Sequence, residues 1–595
     1  MNNPSVRKQE ILTAEATRSD NSAEPVWSRA IAGCRLGRDS VRRRTCGRIG
    51  GVVGCADPTS FEALAKSLGG GAQILDNRGA TLVADFDACW IGGRALEHVA
   101  EWHPVLQQER LESVSGAFAV AWRKPDGTLC LARDPIGERG LFYAKISSGL
   151  IFASTLHAIL ATGLLEPRIN LTAVARYLSY AYLPGAGTLI SGIYKVLPGE
   201  MVEFRDGQLS CSRLWSLPAE AHGKAPDEEC LRQQLRAELE AAVARRLPQS
   251  GPVGAFLSGG IDSSLVVALT RRLYKDEVLT YAVSFGPEYA NELPFSSLVA
   301  KHCQTRHHIV ELSPAVVLQH LDESIALLSD PVGDPLTVPN ALLFREAAHE
   351  AGVVLNGEGG DPCFGGPKNV PMLLAELFGD GAEEPHTGAA YSRERSYLRA
   401  HQKCYDDLPA MLTPDVRAAI ADNALELQLA PFFDDPRWSS FIAKLMAINI
   451  TFKAPFHILH KVDSVSAPFG AVARSPLFDR AIVEMAISIP PQLKLRDSRE
   501  KYLLKQAVRD LLPPAIIERP KSGMLVPVEG WFRGPLWSFA RERLLDGLTG
   551  FGLFERKYLE RLLDGRMAGL HPRRGVKIWM LVTLESWLRS VWKQR

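Results

Sequence analysis

One short segment constrains the fold of this chain more than any other. Residues Ala255–Leu269 read AFLSGGIDSSLVVAL, which is an apolar run, a glycine turn and then a helical pattern. Gly259 and Gly260 let the backbone turn sharply and approach a ligand closely. The first N–H groups of the following helix, helped by its dipole, then point at an anion. The segment predicts an anion-binding loop, although a tight strand–helix turn without a ligand has the same pattern.

The sequence around this loop alternates between short apolar runs and amphipathic helices. The predicted strands are Val253–Leu257, Val278–Phe285, His308–Glu311 and Val353–Leu355, and the predicted helices are Glu229–Arg246, Ser263–Leu273, Phe295–His302 and Ala341–Ala351. Repeated βα units of this kind predict an α/β fold with a doubly wound parallel sheet. Beyond about residue 390 the chain is predicted to be mostly helical.

The 595 residues are too many for one hydrophobic core, so two or three domains are expected. Residues 46–215 contain short strand-like runs between Gly, Pro and Asp turns, which is typical of an α+β layered domain. A hairpin-like turn at Pro198-Gly199 is predicted between Tyr194–Leu197 and Met201–Phe204, and 216–227 is predicted to be a linker. Residues 1–45 are polar and arginine-rich, which favours a disordered tail over a partner-binding arm or a misplaced start site.

Composition excludes several classes of function. The formal net charge is only +1, which gives no reason to expect nucleic acid or a membrane surface as partner. The ten cysteines include no C-x-x-C pair, which argues against structural zinc and favours reduced thiols in the cytoplasm. The sequence has no uninterrupted apolar run of 18 residues and no apolar signal-like start.

The chemistry of the loop points to a nucleotide. Ser258 and Ser263 add hydroxyl donors, but the lysine of a P-loop NTPase is missing. Asp262 would repel a phosphate unless a Mg²⁺ ion lay between them, and carboxylate oxygens suit that ion.

A second glycine-rich segment, VVLNGEGGDPCFGG, spans residues 353–366 and also follows a short apolar strand. It should therefore lie beside the first loop, because parallel strands end at the same sheet edge. Asp361 can complete the magnesium site, and Glu358 is placed to act as an acid, a base or an orienting group.

Five ordered motifs resemble the asparagine synthetase family, which includes β-lactam synthetases and lasso-peptide cyclases. They are LSGGIDSS (257–264), SDPVGDPLTVP (329–339), LNGEGGDPCFGG (355–366), HKVDSVSAPFGAVARSPLFD (460–479) and the stretch 501–536 that begins KYLLKQ. The resemblance implies an Ntn-type amidotransferase-like domain over 46–215. It also implies an ATP-pyrophosphatase (adenine nucleotide alpha-hydrolase-like) synthetase domain over 228–595, with a helical C-terminal part.

The resemblance also implies roles for single residues. Glu358 would help to form an acyl-adenylate, Lys501 would be the catalytic lysine and Lys521 would face the pyrophosphate. Asp262 and Asp361 would hold Mg²⁺. The ATP and its pyrophosphate would be bound by Leu257, Ser258, Gly259, Gly260, Asp262, Ser263, Val283, Asn356 and Gly357. For each lysine taken alone, a solvated surface charge is the simpler interpretation.

The start of the amidotransferase-like domain departs from the family pattern. Cys46 begins C-G-R-I-G-G, which resembles the family's catalytic start with an inserted residue, but it lies inside the chain and has no free α-amine. The glutamine-binding segments R-G-P-D and N-G-E-I-Y-N are absent from the sequence. The domain is therefore interpreted as degenerate, without glutaminase activity. Cys46 could act only after cleavage, and an inert thiol is the simpler interpretation.

Three functions stay open at this point. A lasso-peptide cyclase-like macrolactam synthetase is favoured narrowly over an asparagine synthetase. β-Lactam synthetases carry a Tyr at the position of Glu358 and fit less well. A nucleotide-binding regulatory protein without catalysis is the alternative from another class. The expected substrate is a small amino acid or a precursor peptide, and a peptide-processing protease is a candidate partner.

Overall fold

The computed structural model describes residues 48–592, except 55–57, 70–72, 76–80, 148, 222–226, 290, 367–373, 375–390, 498, 521–522 and 566–572. The predicted tail 1–45, Cys46 and Lys521 lie outside the described residues.

Two stacked sheets form the N-terminal part. One has the order β2-β1-β8-β7-β9 and the other β11-β10-β6-β5-β3-β4. Buried apolar side chains such as Ile49, Leu131 and Phe152 fill the space between them. The strands are β1 (Ile49–Val53), β2 (Gln73–Leu75), β3 (Leu82–Ile91), β4 (Arg94–Leu96), β5 (Val114–Arg123), β6 (Leu129–Arg133), β7 (Phe142–Ile146), β8 (Gly149–Ala153), β9 (Ile193–Lys195), β10 (Glu200–Arg205) and β11 (Gln208–Arg213).

Helices complete this α+β layered architecture, as the sequence predicted. They are Pro58–Leu68, Trp102–Gln107, Leu156–Ala161 and Leu171–Tyr180, with 3₁₀ turns at Val99–Glu101 and Leu111–Ser113.

The predicted hairpin at Pro198-Gly199 is wrong. Strand β9 pairs with β7 in one sheet, whereas β10 pairs with β6 and β11 in the other. The turn therefore passes the chain between the sheets, and the Gly199 N–H bonds to the Asp134 carbonyl (2.9 Å). The Pro-Gly signal identified a turn but not the partner of each strand.

The second part is built on a parallel sheet of order β14-β13-β12-β15-β16. Its strands are β12 (Val253–Phe256), β13 (Val278–Ser284), β14 (Arg306–Glu311), β15 (Val353–Leu355) and β16 (Val472–Arg474), and β17 (Leu495–Arg496) pairs with β18 (Arg499–Glu500) outside it. The flanking helices are Glu228–Ala244, Ile261–Leu273, Leu293–Cys303, Pro314–Ala326, Thr337–Ala347 and Gly360–Phe364. The doubly wound α/β prediction is confirmed, but β16 was not predicted.

The rest of the chain is mostly helical, as expected. Its α-helices are Ser392–Ala400, Leu408–Met411, Pro414–Ile420, Ala430–Phe433, Phe441–Ala447, Leu459–Ser466, Arg480–Ser488, Pro491–Lys494, Tyr502–Ala507, Pro514–Ile517, Val528–Arg533, Trp537–Glu542, Arg556–Asp564 and Arg574–Trp592. The π-helices are Ile448–Ile458 and Arg543–Gly547. The 3₁₀ segments are Tyr405–Asp407, Leu425–Gln428, Ala467–Phe469, Pro476–Phe478 and Leu548–Phe551.

Within the described ranges, one continuous helix has the length and composition of a membrane span. It runs over Phe441–Phe469 with a mean hydropathy of 1.2, and 78% of its apolar window is buried inside the molecule.

Part of the predicted linker is packed against the second domain. The carboxylate of Glu220 accepts hydrogen bonds from the backbone N–H groups of Ser439 (3.0 Å) and Ser440 (2.8 Å), at the start of helix Phe441–Ala447. Glu220 thereby supplies acceptors that the N-terminus of this helix needs, so residues 216–221 help to join the two domains.

Candidate active site

The first glycine loop is held by a compact set of hydrogen bonds. The hydroxyl oxygens of Ser258 and Ser263 lie 3.1 Å apart, and Ser263 also donates to the Gly260 carbonyl (3.2 Å). Gly259 has a φ of +79°, and a Cβ there would lie 2.5 Å from the Cβ of Phe295. Only glycine fits this position, and the loop leads directly into helix Ile261–Leu273.

The second glycine loop lies against the first, as the sequence predicted. Strands β12 and β15 are parallel neighbours, so both loops leave the same sheet edge. A Cβ on Gly357 would lie only 2.5 Å from the backbone nitrogen of Ser263, and one on Gly360 would overlap the carboxyl group of Asp262. The second loop therefore touches the backbone of the first at Gly357 and the side chain of Asp262 at Gly360, and neither position has room for a Cβ.

A buried lysine joins two carboxylates where the loops meet. The Nζ of Lys501 lies 2.5 Å from Asp262 Oδ2 and 2.5 Å from Asp361 Oδ1. Lys501 is only 1% exposed, so its charge requires these partners. The structure thus brings together three residues that the sequence predicted from three separate motifs.

The two carboxylates suit a magnesium ion only in part. No group of three or more His, Cys, Asp or Glu side chains that could hold a metal occurs among the residues that the structure describes. Mg²⁺ is commonly held by one or two carboxylates together with substrate phosphates. Asp262 and Asp361 fit that pattern, with the remaining ligands supplied by ATP and water, so their metal role stays a prediction.

The predicted nucleotide-contacting residues lie at the carboxyl ends of neighbouring strands. Each lies within one position of a strand end, and all three are at most 5% exposed: Leu257 follows β12, Val283 is the last residue but one of β13, and Asn356 follows β15. The Asn356 Oδ1 accepts a hydrogen bond from the Glu358 backbone (3.0 Å). Its buried Nδ2 has no hydrogen-bond partner within the described ranges. A buried donor of this kind requires an acceptor, which a bound nucleotide would supply.

A cationic cavity that the sequence reasoning missed lies at the start of helix Ile261–Leu273. It encloses about 290 Å³, counting its open mouth, and Lys501, Lys505 and Arg519 are among its lining residues. The Arg519 guanidinium donates to the Gly259 carbonyl (3.3 Å) and pairs with Glu292 (2.8 Å). Glu500 adds one carboxylate to the lining. Three cations and one carboxylate beside a helix N-terminus leave a positive charge that favours an anion such as a polyphosphate. Arg519 lies two positions before Lys521, within the 501–536 motif that resembles the asparagine synthetase family.

A second missed group lies near Glu358. The Nζ of Lys461 is 2.6 Å from Asp334 Oδ2, and Lys461 is 2% exposed. Burial favours the neutral amine, but the charges of Asp334 and Glu358 raise the pKa of Lys461 above its usual value. Lys461 therefore stays a cation, and its charge interacts with that of Glu358. Both residues of the pair occur in motifs quoted above, at 329–339 and 460–479.

The parallel sheet, the two touching glycine loops and the buried lysine define a nucleotide-dependent ligase site of the ATP-pyrophosphatase type. Comparison with known proteins agrees with this class. The sequence profile described as Asparagine synthase matches residues 234–589, and the Glutamine amidotransferase domain matches residues 96–215.

Asparagine synthetase [glutamine-hydrolyzing] 1 of Bacillus subtilis is 25% identical and aligns over 81% of this chain and 78% of its own length. A putative asparagine synthetase of Mycobacterium tuberculosis is 27% identical and aligns over 80% of this chain and 77% of its own length. Amidase chry2 of Gibberella zeae is 23% identical, over 80% and 79%. The chain belongs to the asparagine synthetase family. It is an ATP-dependent, amide-forming ligase that yields AMP and diphosphate.

Proposed function

We propose that the chain converts a carboxylate to its acyl-adenylate and joins it to an amine of the same peptide substrate, forming a macrolactam as lasso-peptide cyclases do. The observation that carries the adenylation step is the position of Lys501. It lies between Asp262 and Asp361, where the two glycine loops meet.

The proposed reaction has two steps. A carboxylate oxygen attacks the α-phosphorus of ATP, the bond to the bridging oxygen breaks, and diphosphate leaves. Lys501 stabilises the negative charge that develops on the phosphate. Asp262 and Asp361 would hold Mg²⁺ together with the phosphates of ATP, and that ion would offset the charge of the diphosphate. The amine then attacks the acyl carbon, AMP leaves, and Glu358 accepts the proton of the amine.

The source of the nitrogen is the second part of the proposal. The sequence has neither of the family's glutamine-binding segments, and the amidotransferase match begins only at residue 96. A nitrogen that does not come from glutamine must be free ammonia or an amine of the substrate. An amine in the same molecule as the activated acid also gains from proximity, because both reactants are already joined.

Asparagine synthesis from aspartate is the second candidate, and two observations favour it. Glu358 is acidic, as in asparagine synthetases, and relatives with that name align over about four-fifths of this chain. Relatives named as amidases align equally far, so family membership alone does not identify the acid.

ATP–pyrophosphate exchange separates these candidates. Aspartate and peptides that carry a free α-amine and an Asp or Glu side chain are offered in turn, without glutamine. The proposal expects exchange with such a peptide and a product that has lost one water. Exchange with aspartate alone would select asparagine synthesis, and exchange with neither acid would overturn the proposed peptide substrate. Ammonia release from glutamine would contradict the proposed nitrogen source.

A further inference from the structure

The amidotransferase-like domain contacts the second glycine loop indirectly, through strand β3. The pairing of β3 with β5 shifts register between Asp87 and Trp90, and Ala88 within this bulge has a φ of +46°. The bulge places the carboxylate of Asp87 against the guanidinium of Arg474, with two bonds of 2.7 Å. Both side chains are about five-sixths buried (16% and 15% exposed), so this is a well-defined bidentate pair between the domains.

Arg474 is the last residue of β16, the strand beside β15. Its carbonyl accepts a hydrogen bond from the backbone nitrogen of Asn356 (3.0 Å). Asn356 in turn accepts from the Glu358 backbone (3.0 Å). Three steps therefore lead from the carboxylate of Asp87 to the backbone of Glu358.

The segment from Arg474 to Leu477 has further contacts, both toward the N-terminal domain and toward the second glycine loop. The Arg474 Nη1 donates to the Arg246 carbonyl (2.6 Å), and the guanidinium of Arg245 lies 4.8 Å from the ring centroid of Trp90 in β3. On the other side, a Cβ on Gly359 would lie 2.7 Å from the carbonyl carbon of Leu477. The segment from Arg474 to Leu477 is thus packed between the N-terminal domain and the second glycine loop.

We propose that Asp87 and Arg474 are positioning residues for the ATP site, through which the amidotransferase-like domain fixes the loop that carries Asn356 and Glu358. This gives the domain a function that does not depend on glutamine. Two parallel charge-assisted bonds define direction as well as distance, so they fix β16 more firmly than a single contact would. Burial opposes ionisation of Asp87, but Arg474 holds the pKa of its carboxyl below the usual range. The pair is therefore fully charged near neutral pH.

The test measures nucleotide affinity separately from stability. The full-length chain and its Asp87→Asn variant are titrated calorimetrically with α,β-methylene-ATP and MgCl₂, and their melting temperatures are recorded. Asp407→Asn is the matched control, because Asp407 forms a still more deeply buried pair with Lys577 (2.5 Å) away from both glycine loops. We expect both variants to melt earlier, but only Asp87→Asn to raise the Kd, by about tenfold. An unchanged Kd in Asp87→Asn would overturn the proposal.

Arg474→Lys covers the case in which Asp87→Asn fails to fold. It keeps the charge but loses the bidentate geometry, because an ammonium is a point charge without a planar fork. We expect a near-normal melting temperature with a raised Kd for the analogue, and a parental Kd would contradict the positioning role. The analogue needs no acid or amine, so the outcome is independent of the proposed macrolactam reaction.

Discussion

Lys501 is the residue on which the proposed chemistry depends most. Its ammonium is buried and shared by two carboxylates that come from different glycine loops. An ATP phosphate entering the site would meet this charge in a water-poor setting, where a positioned cation is worth far more than in solution.

We predict that Lys501→Met lowers ATP–pyrophosphate exchange by about a thousandfold, the upper range for losing one stabilising group in an active site. The control is Lys577→Met, which removes another buried lysine paired with a carboxylate, Asp407. The control should lose stability but keep exchange in the fraction that stays folded. Near-parental exchange in Lys501→Met would show that the lysine is not catalytic.

Arg519 is a second residue that we expect to bind the diphosphate. Its guanidinium lies in the cationic cavity and contacts the first glycine loop through the Gly259 carbonyl. We expect Arg519→Ala to raise the apparent KM for diphosphate in the exchange reaction by about tenfold, the loss of one charge-assisted hydrogen bond. Arg533→Ala, which removes a guanidinium that is 70% exposed, is the control and should leave that KM unchanged. If Arg519→Ala has the KM of the parent, Arg519 does not bind the diphosphate.

The two glycine loops approach each other so closely that their contact has no room for a side chain. A methyl group on Gly357 would collide with the backbone of the first loop, whereas one on Gly352 would meet nothing within 4 Å. We predict that Gly357→Ala separates the loops and lowers exchange by about a hundredfold, because small displacements of a reacting group are costly. Gly352→Ala, in the same segment, should behave as the parent. Equal activity of the two variants would contradict the close packing of the loops.

Sequence patterns predicted most of the elements around the site, because each βα unit has its own local signal. The predicted helix Glu229–Arg246 is observed as Glu228–Ala244, and its Leu231, Leu235 and Leu239 side chains are buried along one face. Strand β16 has only three residues and pairs with β15, more than a hundred positions earlier in the chain. No local pattern contains that information, so the strand could not be predicted from the sequence.

The sequence also predicted part of the candidate active site, but not the ion pairs between distant segments. Asp262 and Asp361 follow from loop chemistry, because each lies in a glycine-rich turn after a strand. Lys501 required the family resemblance, since a single lysine gives no local signal. The Lys461–Asp334 and Arg474–Asp87 pairs join distant segments, and only the folded chain brings them together.

Acid sensitivity is a property of the whole molecule. Burial lowers the pKa of His157 and of His460 to about 4, and that of His401 to about 3. An unfolded histidine takes up a proton near pH 6.5. Between pH 6.5 and 4 the unfolded chain therefore binds more protons than the folded one, and stability is lost as the pH falls.

At pH 5 each of these half-buried imidazoles costs about 2 kcal/mol relative to pH 7. We predict a lower melting temperature at pH 5 than at pH 7.5, and a smaller difference in His157→Phe. That variant keeps an aromatic ring near Trp587, whose centroid lies 6.1 Å away, but cannot be protonated. If the melting temperatures of His157→Phe and the parent fall by the same amount between pH 7.5 and pH 5, His157 does not contribute to the acid sensitivity.

The architecture as a whole suggests why an amidotransferase-like domain without the glutamine-binding segments is kept. It shares buried ion pairs with the synthetase domain at Arg48–Asp463 (2.8 Å), Lys195–Asp330 (2.9 Å) and Asp87–Arg474. Losing the domain would remove one partner from each of these pairs and expose the apolar side chains that both domains contribute to one core.

In the proposed reaction this chain forms an acyl-adenylate without taking nitrogen from glutamine. The most direct measurement uses a substrate peptide whose carboxylate carries ¹⁸O, incubated with ATP and Mg²⁺ in the absence of glutamine. We expect a cyclised peptide and AMP that contains one ¹⁸O atom, because the carboxylate oxygen stays on the phosphorus when the amide forms. Unlabelled AMP, or ADP and phosphate in its place, would contradict it.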